Sequence, residues 1–116
     1  VVTAGKGYVA SRMKDTTASA MSHMAIGTGS TAAAAGDTAL GSEAARVALT
    51  STSVSGSVVT YAATFGANVP NSAAAITEAG LFNASSGGTL LCRTVFSVVN
   101  KGTSDTMTIS WAVTVS

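Results

Sequence analysis

Apolar and polar side chains alternate along much of the second half of the chain, which is the pattern of β-strands. Residues 107–115 alternate large apolar with small polar side chains, and residues 59–65 repeat the same period of two. Residues 90–99 are apolar at nearly every position, which predicts a central strand buried on both faces. Further strands are predicted at residues 24–26, 47–54 and 76–82.

Polar and glycine-rich connectors separate the predicted strands. Residues 85–88 (SSGG) predict a hairpin turn because glycine accepts a positive φ angle, and residues 100–105 predict a second turn. Gly80, inside the segment 76–82, predicts a bulge or the close approach of a neighbouring group. Short strands without long helices between them predict a mainly β fold, an antiparallel β-sandwich or jelly-roll-like barrel.

Helical patterns are confined to the first third of the chain. Residues 7–17 predict one amphipathic helix, with Val9 and Met13 inside and the charged Arg12, Lys14 and Asp15 outside. Residues 38–45 predict a short helical turn whose N-cap is Asp37. We therefore expect one compact unit with two parts, an N-terminal helix or arm at residues 1–20 and an antiparallel β-domain at residues 21–116.

The composition limits the possible functions. Ala, Ser, Thr and Gly supply 67 of the 116 residues, whereas Val, Leu, Ile and Phe supply 24. The formal net charge is +1 and 9% of residues are charged, which disfavours both disorder and nucleic-acid binding. No apolar run is long enough to span a membrane, and a single cysteine cannot form an internal disulfide. A surface so poor in charge favours association between copies.

Residue types that often carry chemistry occur singly. Gly27 and Gly29 match part of a dinucleotide-binding fingerprint, but no acidic residue follows at the required distance, so we expect a plain glycine turn. His23 is the only histidine, and Ser22 beside it in a strand is expected to point to the opposite face. Cys92 lies within an apolar strand and is expected to be a buried small hydrophobe. We predict no catalytic residue, no cofactor and no metal site.

Two charged residues lie within strand patterns. Glu78 and Arg93 are expected to pair, either across a hairpin or across a subunit boundary, and so to fix the register. The alternative is a catalytic pair of Glu78 with Glu43, but nothing in the sequence brings these two carboxylates together. Trp111 is either a core residue or a platform for a ligand.

Three segments in this order resemble a group of small structural proteins of tailed bacteriophages. They are residues 25–31 (AIGTGST) leading into 36–43 (GDTALGSE), residues 76–84 (ITEAGLFNA) followed by 87–90 (GGTL), and the closing strand 107–115. Residues 3–13 also resemble the opening helix of that group. The segment 76–84 is similar to tail-fibre proteins as well, so a tail-fibre or baseplate adaptor module is the alternative. A carbohydrate-binding adhesion module fits less well, because 5% aromatic residues provide few platforms for sugars.

The resemblance implies a non-enzymatic virion protein that binds the outer capsid surface and stabilises the head as a cement or decoration protein. Its partners would be the major capsid protein and further copies of itself in a homotrimer, with no nucleic acid and no membrane. It would be made in the bacterial cytoplasm and located on the capsid exterior. The residues assigned to capsid contact are Lys6, Tyr8, Arg12 and Lys14, with an ordinary helix that closes one end of the barrel as the alternative. The residues assigned to the subunit interface, with a place in the core as the alternative, are Glu78, Leu81, Phe82 and Arg93.

Overall fold

The computed structural model describes residues 2–14, 19–70 and 72–115. Within them one helix, α1 (Thr3–Lys14), precedes seven strands. The strands are β1 (His23–Gly27), β2 (Glu43–Ala48), β3 (Ser51–Ser55), β4 (Val58–Phe65), β5 (Ala74–Phe82), β6 (Leu90–Lys101) and β7 (Met107–Thr114). The expectation of a mainly β chain with a short N-terminal helix is confirmed.

The strands form two antiparallel sheets. The first sheet has the order β2-β1-β5-β6 and the second has the order β3-β4-β7. Every pairing between neighbouring strands is antiparallel. The chain passes from the first sheet to the second at Leu49 and Thr50, so the predicted strand 47–54 is in fact divided between β2 and β3.

Apolar side chains from both sheets form the main core. Because successive side chains of a strand point to opposite faces, β1 and β4 contribute every second residue to this layer. The buried residues of the first sheet in this core are Met24, Ile26, Ile76, Ala79, Leu81, Leu91 and Cys92. The second sheet contributes Ala63, Phe65 and Val113.

The opposite face of the first sheet is also covered. A second cluster of buried residues there combines sheet residues with Leu40 from the β1–β2 loop and Val2 at the start of α1. The sheet residues of this cluster are Ala25, Phe82 and Leu90. Strand β5 is consequently buried at every position from Ile76 to Phe82. The 28–42 loop is therefore part of the folded interior and not an appendage.

The prediction that residues 90–99 form a central strand is wrong, because β6 is an edge strand of the first sheet. Its first four residues are buried, since α1 packs against this part of the strand. A Cβ atom at Gly5 would collide with the carbonyl oxygen of Leu91, so glycine allows this close approach. Farther along, Val98 and Val99 are 55% and 43% exposed. Because α1 covers residues 90–93, the apolar residues at the start of β6 are buried without a second neighbouring strand.

The helical predictions are only partly correct. Helix α1 begins at Thr3, four residues earlier than expected, and residues 15–17 of the predicted helix lie outside the described residues. Val9 packs against the core as predicted, whereas Met13 is 83% exposed. The helical turn predicted at 38–45 is wrong, because residues 43–45 belong to β2. Helix propensity in this segment is outweighed by the tertiary pairing of β2 with β1.

The turn predicted at residues 85–88 is confirmed. Gly87 and Gly88 adopt φ angles of 61° and 76°, in the region that glycine enters at no steric cost. Gly80 marks a close approach, since a Cβ atom there would lie 2.7 Å from the Leu40 side chain. Both features hold β5 and its neighbours in position around the charged cluster described next.

Candidate functional site

The carboxylate of Glu78 lies at the centre of a buried polar cluster. Glu78 is on the face of β5 that the 28–42 loop covers, and it is 0% exposed. One of its oxygens accepts hydrogen bonds from the backbone N–H groups of Gly29 at 2.7 Å and Ser42 at 2.8 Å. The other accepts from the N–H of Gly41 at 2.7 Å. Glu78 thus holds both ends of the loop.

The guanidinium of Arg93 completes the cluster from β6. Its Nε donates to Glu78 at 2.9 Å, one terminal nitrogen donates to the Asp37 carboxylate at 3.1 Å, and the other donates to the carbonyl oxygen of Thr31 at 2.9 Å. Asp37 also accepts a hydrogen bond from the N–H of Ala34 at 2.9 Å. The middle of the loop is therefore fixed by Arg93, as its ends are by Glu78.

The cluster explains the glycine pair that resembles a nucleotide-binding fingerprint. A Cβ atom at Gly29 would collide with the Glu78 carboxylate, and one at Gly27 would lie 2.6 Å from it. The Gly29 N–H, which in a nucleotide site would face a phosphate, donates to Glu78 instead. Thr77 adds a hydrogen bond from its hydroxyl to the Gly29 carbonyl at 2.7 Å. The chain's own carboxylate thus occupies this anion-binding position.

The ionisation of the cluster follows from these contacts. Burial alone raises the pKa of Glu78, but the hydrogen bonds from Ser42, Gly41, Arg93 and Gly29 outweigh it and hold that pKa below its ordinary value. The hydrogen bond from Ala34, more than the contact with Arg93, lowers the pKa of Asp37. Both carboxylates therefore stay charged opposite Arg93 at neutral pH.

Pairing of Glu78 with Arg93 was one of the sequence predictions, and the structure places this pair across the β5–β6 hairpin of a single chain. The alternative pair of Glu78 with Glu43 does not form, because Glu43 binds Arg46 at 2.8 Å on the outer side of β2. Asp37 was expected to cap a helical turn, but it binds Arg93 and the loop backbone instead. The backbone partners of Glu78 carry no side-chain signal that the sequence could reveal.

Arg46 is a second organising cation that sequence reasoning missed. It donates to Glu43 and to the carbonyl oxygens of Ala84 and Gly87, at 3.0 Å and 2.9 Å. Its guanidinium lies 3.7 Å from the centre of the Phe82 ring, a cation–π contact. Arg46 thereby connects the β5–β6 turn to β2. The rarity of charged residues in this sequence was the only feature that could have pointed to its role.

The four residues assigned to a subunit interface are buried inside one chain. Glu78, Leu81, Phe82 and Arg93 are 0%, 0%, 1% and 8% exposed. Their burial within one chain fits the alternative that they are core residues.

Helix α1 presents a basic surface beside a cavity. Its sequence TAGKGYVASRMK contains three cations and no acidic residue. Of the residues assigned to capsid contact, Lys6 and Arg12 are exposed, Tyr8 is half-buried against the core, and Lys14 is the last residue of the helix. The exposed cations suit an acidic partner surface.

The cavity lies between α1, β4, β6 and β7 and has a volume of about 470 Å³. Lys6 is at its rim, and aliphatic side chains, Tyr61 and Thr114 form the rest of the lining. The aliphatic residues are Val9, Val59, Leu91, Val113 and Val115. This combination suits an apolar side chain with a carboxylate close to it. Because Tyr61 is partly buried against the core, its pKa is raised and its hydroxyl stays neutral.

The remaining candidate residues are Ser22, His23 and Cys92. The Ser22 hydroxyl is hydrogen-bonded to Nδ1 of His23 at 2.7 Å, so the prediction that the two side chains point to opposite faces is wrong. Ser22 lies one residue before β1, and its backbone is hydrogen-bonded to Phe82 and Leu49. Burial raises the pKa of Cys92 to about 12, which keeps the thiol protonated.

In the described part of the chain, no group of three or more His, Cys, Asp or Glu residues is placed to hold a metal ion. The described residues also contain no helix with the length and apolar character needed to cross a bilayer. No family model, curated protein or solved structure matches the chain.

Proposed function

We propose that this chain is a non-enzymatic virion structural protein of a tailed bacteriophage. In this proposal it binds the outer surface of the capsid, in contact with the major capsid protein, and stabilises the head as a cement or decoration protein. It does so as a homotrimer, and its two sheets form an antiparallel sandwich of the jelly-roll type.

The observation that carries the proposal is the order of the three segments that resemble tailed-phage structural proteins, taken with their places in the fold. The segments 25–31 and 36–43 hold the two ends of the loop, and the segment 76–84 supplies the Glu78 carboxylate that binds both. These motifs are therefore the residues that build the domain interior. Motifs of this kind suit a protein that works by presenting a rigid surface, and they supply no nucleophile or acid–base pair.

Helix α1 is the surface we assign to the capsid. Lys6 lies at the rim of an apolar cavity, and the helix sequence contains no acidic residue. Contact with more than one capsid subunit by each trimer would act as a clamp, because expansion of the head would have to break several interfaces together.

Heads that lack the protein provide the test. Purified chain is added to heads from a phage whose gene for it is deleted, and binding is measured by co-sedimentation. We expect saturable binding and a higher temperature for DNA release from the head. Lys6→Glu should weaken binding about tenfold or more, since it puts a like charge against an acidic partner.

The matched control is Thr52→Glu, which adds a negative charge on the exposed strand β3 and should bind normally. Failure of the unmodified chain to bind heads would overturn the capsid proposal. Binding confined to the tail, seen by electron microscopy, would favour the tail-fibre or baseplate alternative instead.

A further inference from the structure

Two edge strands form one side wall of the molecule. β6 is the last strand of the first sheet and β7 the last strand of the second, so each has one side without a neighbouring strand. At the start of β6 this side is covered by α1, and the N–H of Val2 donates to the Leu91 carbonyl oxygen at 3.1 Å. Between them lies a groove of about 460 Å³. Its apolar lining residues are Ala79, Phe96, Val99, Met107, Ile109 and Trp111. The main-chain N–H and C=O groups along the free edges can be satisfied by another strand.

This wall lacks the devices that usually keep edge strands apart. β7 has no charged residue. The charged residues of β6 are Arg93 and Lys101, and both are buried. The Lys101 ammonium donates to the carbonyl oxygens of Gly66 and Asp105, at 2.8 Å and 2.9 Å. Edge strands of monomeric proteins commonly carry exposed charges or proline, and here residues 97–100 are exposed without either.

The opposite wall has a charged edge strand in the first sheet and a short edge strand in the second sheet. Its first-sheet edge, β2, carries the ion pair of Glu43 with Arg46. Its second-sheet edge, β3, is five residues long and consists of Ser and Thr apart from Val54. β6, by contrast, has 12 residues. Among the described residues, only this wall has a long edge strand without exposed charges, so it is the wall available for strand pairing.

We infer that copies of this chain associate through this wall, with the β6 edge of one copy pairing with the β7 edge of the next. The connection from β6 to β7 spans only residues 102–106, and the two strands run in opposite directions. A rotation axis parallel to the strands preserves these directions, so the neighbouring β7 meets β6 antiparallel, as in every pairing within the chain. A contact of this head-to-tail kind forms a ring when its rotation closes.

The free part of the β6 edge is long enough for strand pairing. Because α1 covers residues 90–93, eight residues (94–101) remain, which span about 26 Å at about 3.3 Å per residue. In a ring, each copy presents its β6 edge to one neighbour and its β7 edge to the other. In a ring of three, a number that rests on the proposed function, the apolar grooves of the copies face one another around the axis.

A pair of matched valine variants tests the inference on the purified chain, by native mass spectrometry and light scattering. The unmodified chain should be oligomeric at micromolar concentration. Val99→Lys should raise the dissociation constant about tenfold or more, because Val99 lines the groove and the interface would then bury an unpaired charge. Val54→Lys, at a 71% exposed valine on the opposite wall, should leave it unchanged. Circular dichroism checks that both variants remain folded.

A mixing experiment identifies the paired edges. Val98→Cys on β6 and Thr108→Cys on β7 are made in separate chains, mixed and oxidised, so that no crosslink within one chain is possible. Mixed Val98–Thr108 disulfides should exceed disulfides between identical variants. Cys92 does not compete, because it is buried and protonated.

Three results would overturn the inference: a monomer at high concentration, association abolished by Val54→Lys but not Val99→Lys, or crosslinks only between identical variants. None of them decides whether the chain binds heads. Conversely, a chain that pairs through β6 and β7 but does not bind heads would refute the proposed function and leave this inference standing.

Discussion

Replacing Glu78 by Gln removes the charge at the centre of the buried cluster while keeping the size of the side chain. Four donors converge on the carboxylate, two on each oxygen. An amide has only one oxygen, so in either orientation its NH₂ group faces two of these donors. Arg93 at the same time loses one of its two carboxylate partners.

The expected cost follows from the burial of the pair. Hydrogen bonds to a charged group contribute about 1.5–3 kcal/mol each, and two of them are lost. Breaking a buried ion pair by removing one partner costs about 3–5 kcal/mol, and we expect Glu78→Gln to fall in this range. A domain of this size has a total stability of about 5–15 kcal/mol, so the variant loses a large share of it.

Urea unfolding followed by Trp111 fluorescence measures the effect, with all proteins at one concentration because association adds to apparent stability. Glu43→Gln is the matched control, since it removes the same charge from a carboxylate that is 33% exposed, against 0% for Glu78, and it should cost less than Glu78→Gln. Equal costs for the two variants would refute the reasoning, because burial of the Glu78 carboxylate would then make no difference.

Three further outcomes are expected. The pKa of Glu78 is lower in the folded chain than in the unfolded chain. The stabilisation by its carboxylate is therefore present above the unfolded pKa of about 4.3 and is lost as the pH falls through the folded pKa. Below about pH 4 the unmodified chain should accordingly lose more unfolding free energy than the Glu78→Gln variant. Gly5→Ala should destabilise the fold by about 1–3 kcal/mol, because the new Cβ would meet the Leu91 carbonyl. Gly7→Ala should stabilise it by about 1 kcal/mol, because nothing lies within 4 Å of the new Cβ. Thermal unfolding measures both variants, and the reverse order of stability would disprove the close packing of α1 on β6. Cys92 should react with a thiol reagent at neutral pH at least about a hundredfold faster in urea than in the folded chain, and equal rates would contradict its burial.

The sequence predicts local features of this fold well. The strands of the second half follow from alternation, and the turn at residues 85–88 follows from its two glycines. The pairing of Glu78 with Arg93 could be expected because isolated charges in apolar strands need partners. These predictions depend only on the period of the side chains and on the cost of burying a charge.

Features that depend on distant neighbours could not be predicted. The apolar pattern of β6 is the same whether a strand or a helix covers it, so the sequence could not show that α1 takes this place. Backbone N–H groups hold Glu78, and the identities of Gly41 and Ser42 give no sign of this role. The sequence likewise could not show that Lys6 borders an apolar cavity, because the lining comes from four separate elements.

The copy number of this chain in purified virions tests the central proposal most directly. Quantitative mass spectrometry against the major capsid protein measures it. As a capsid decoration protein, the chain should be present in near-stoichiometric amounts. A few copies per particle would contradict the proposal and place the protein in the tail or baseplate, and complete absence from virions would refute a structural role in the particle.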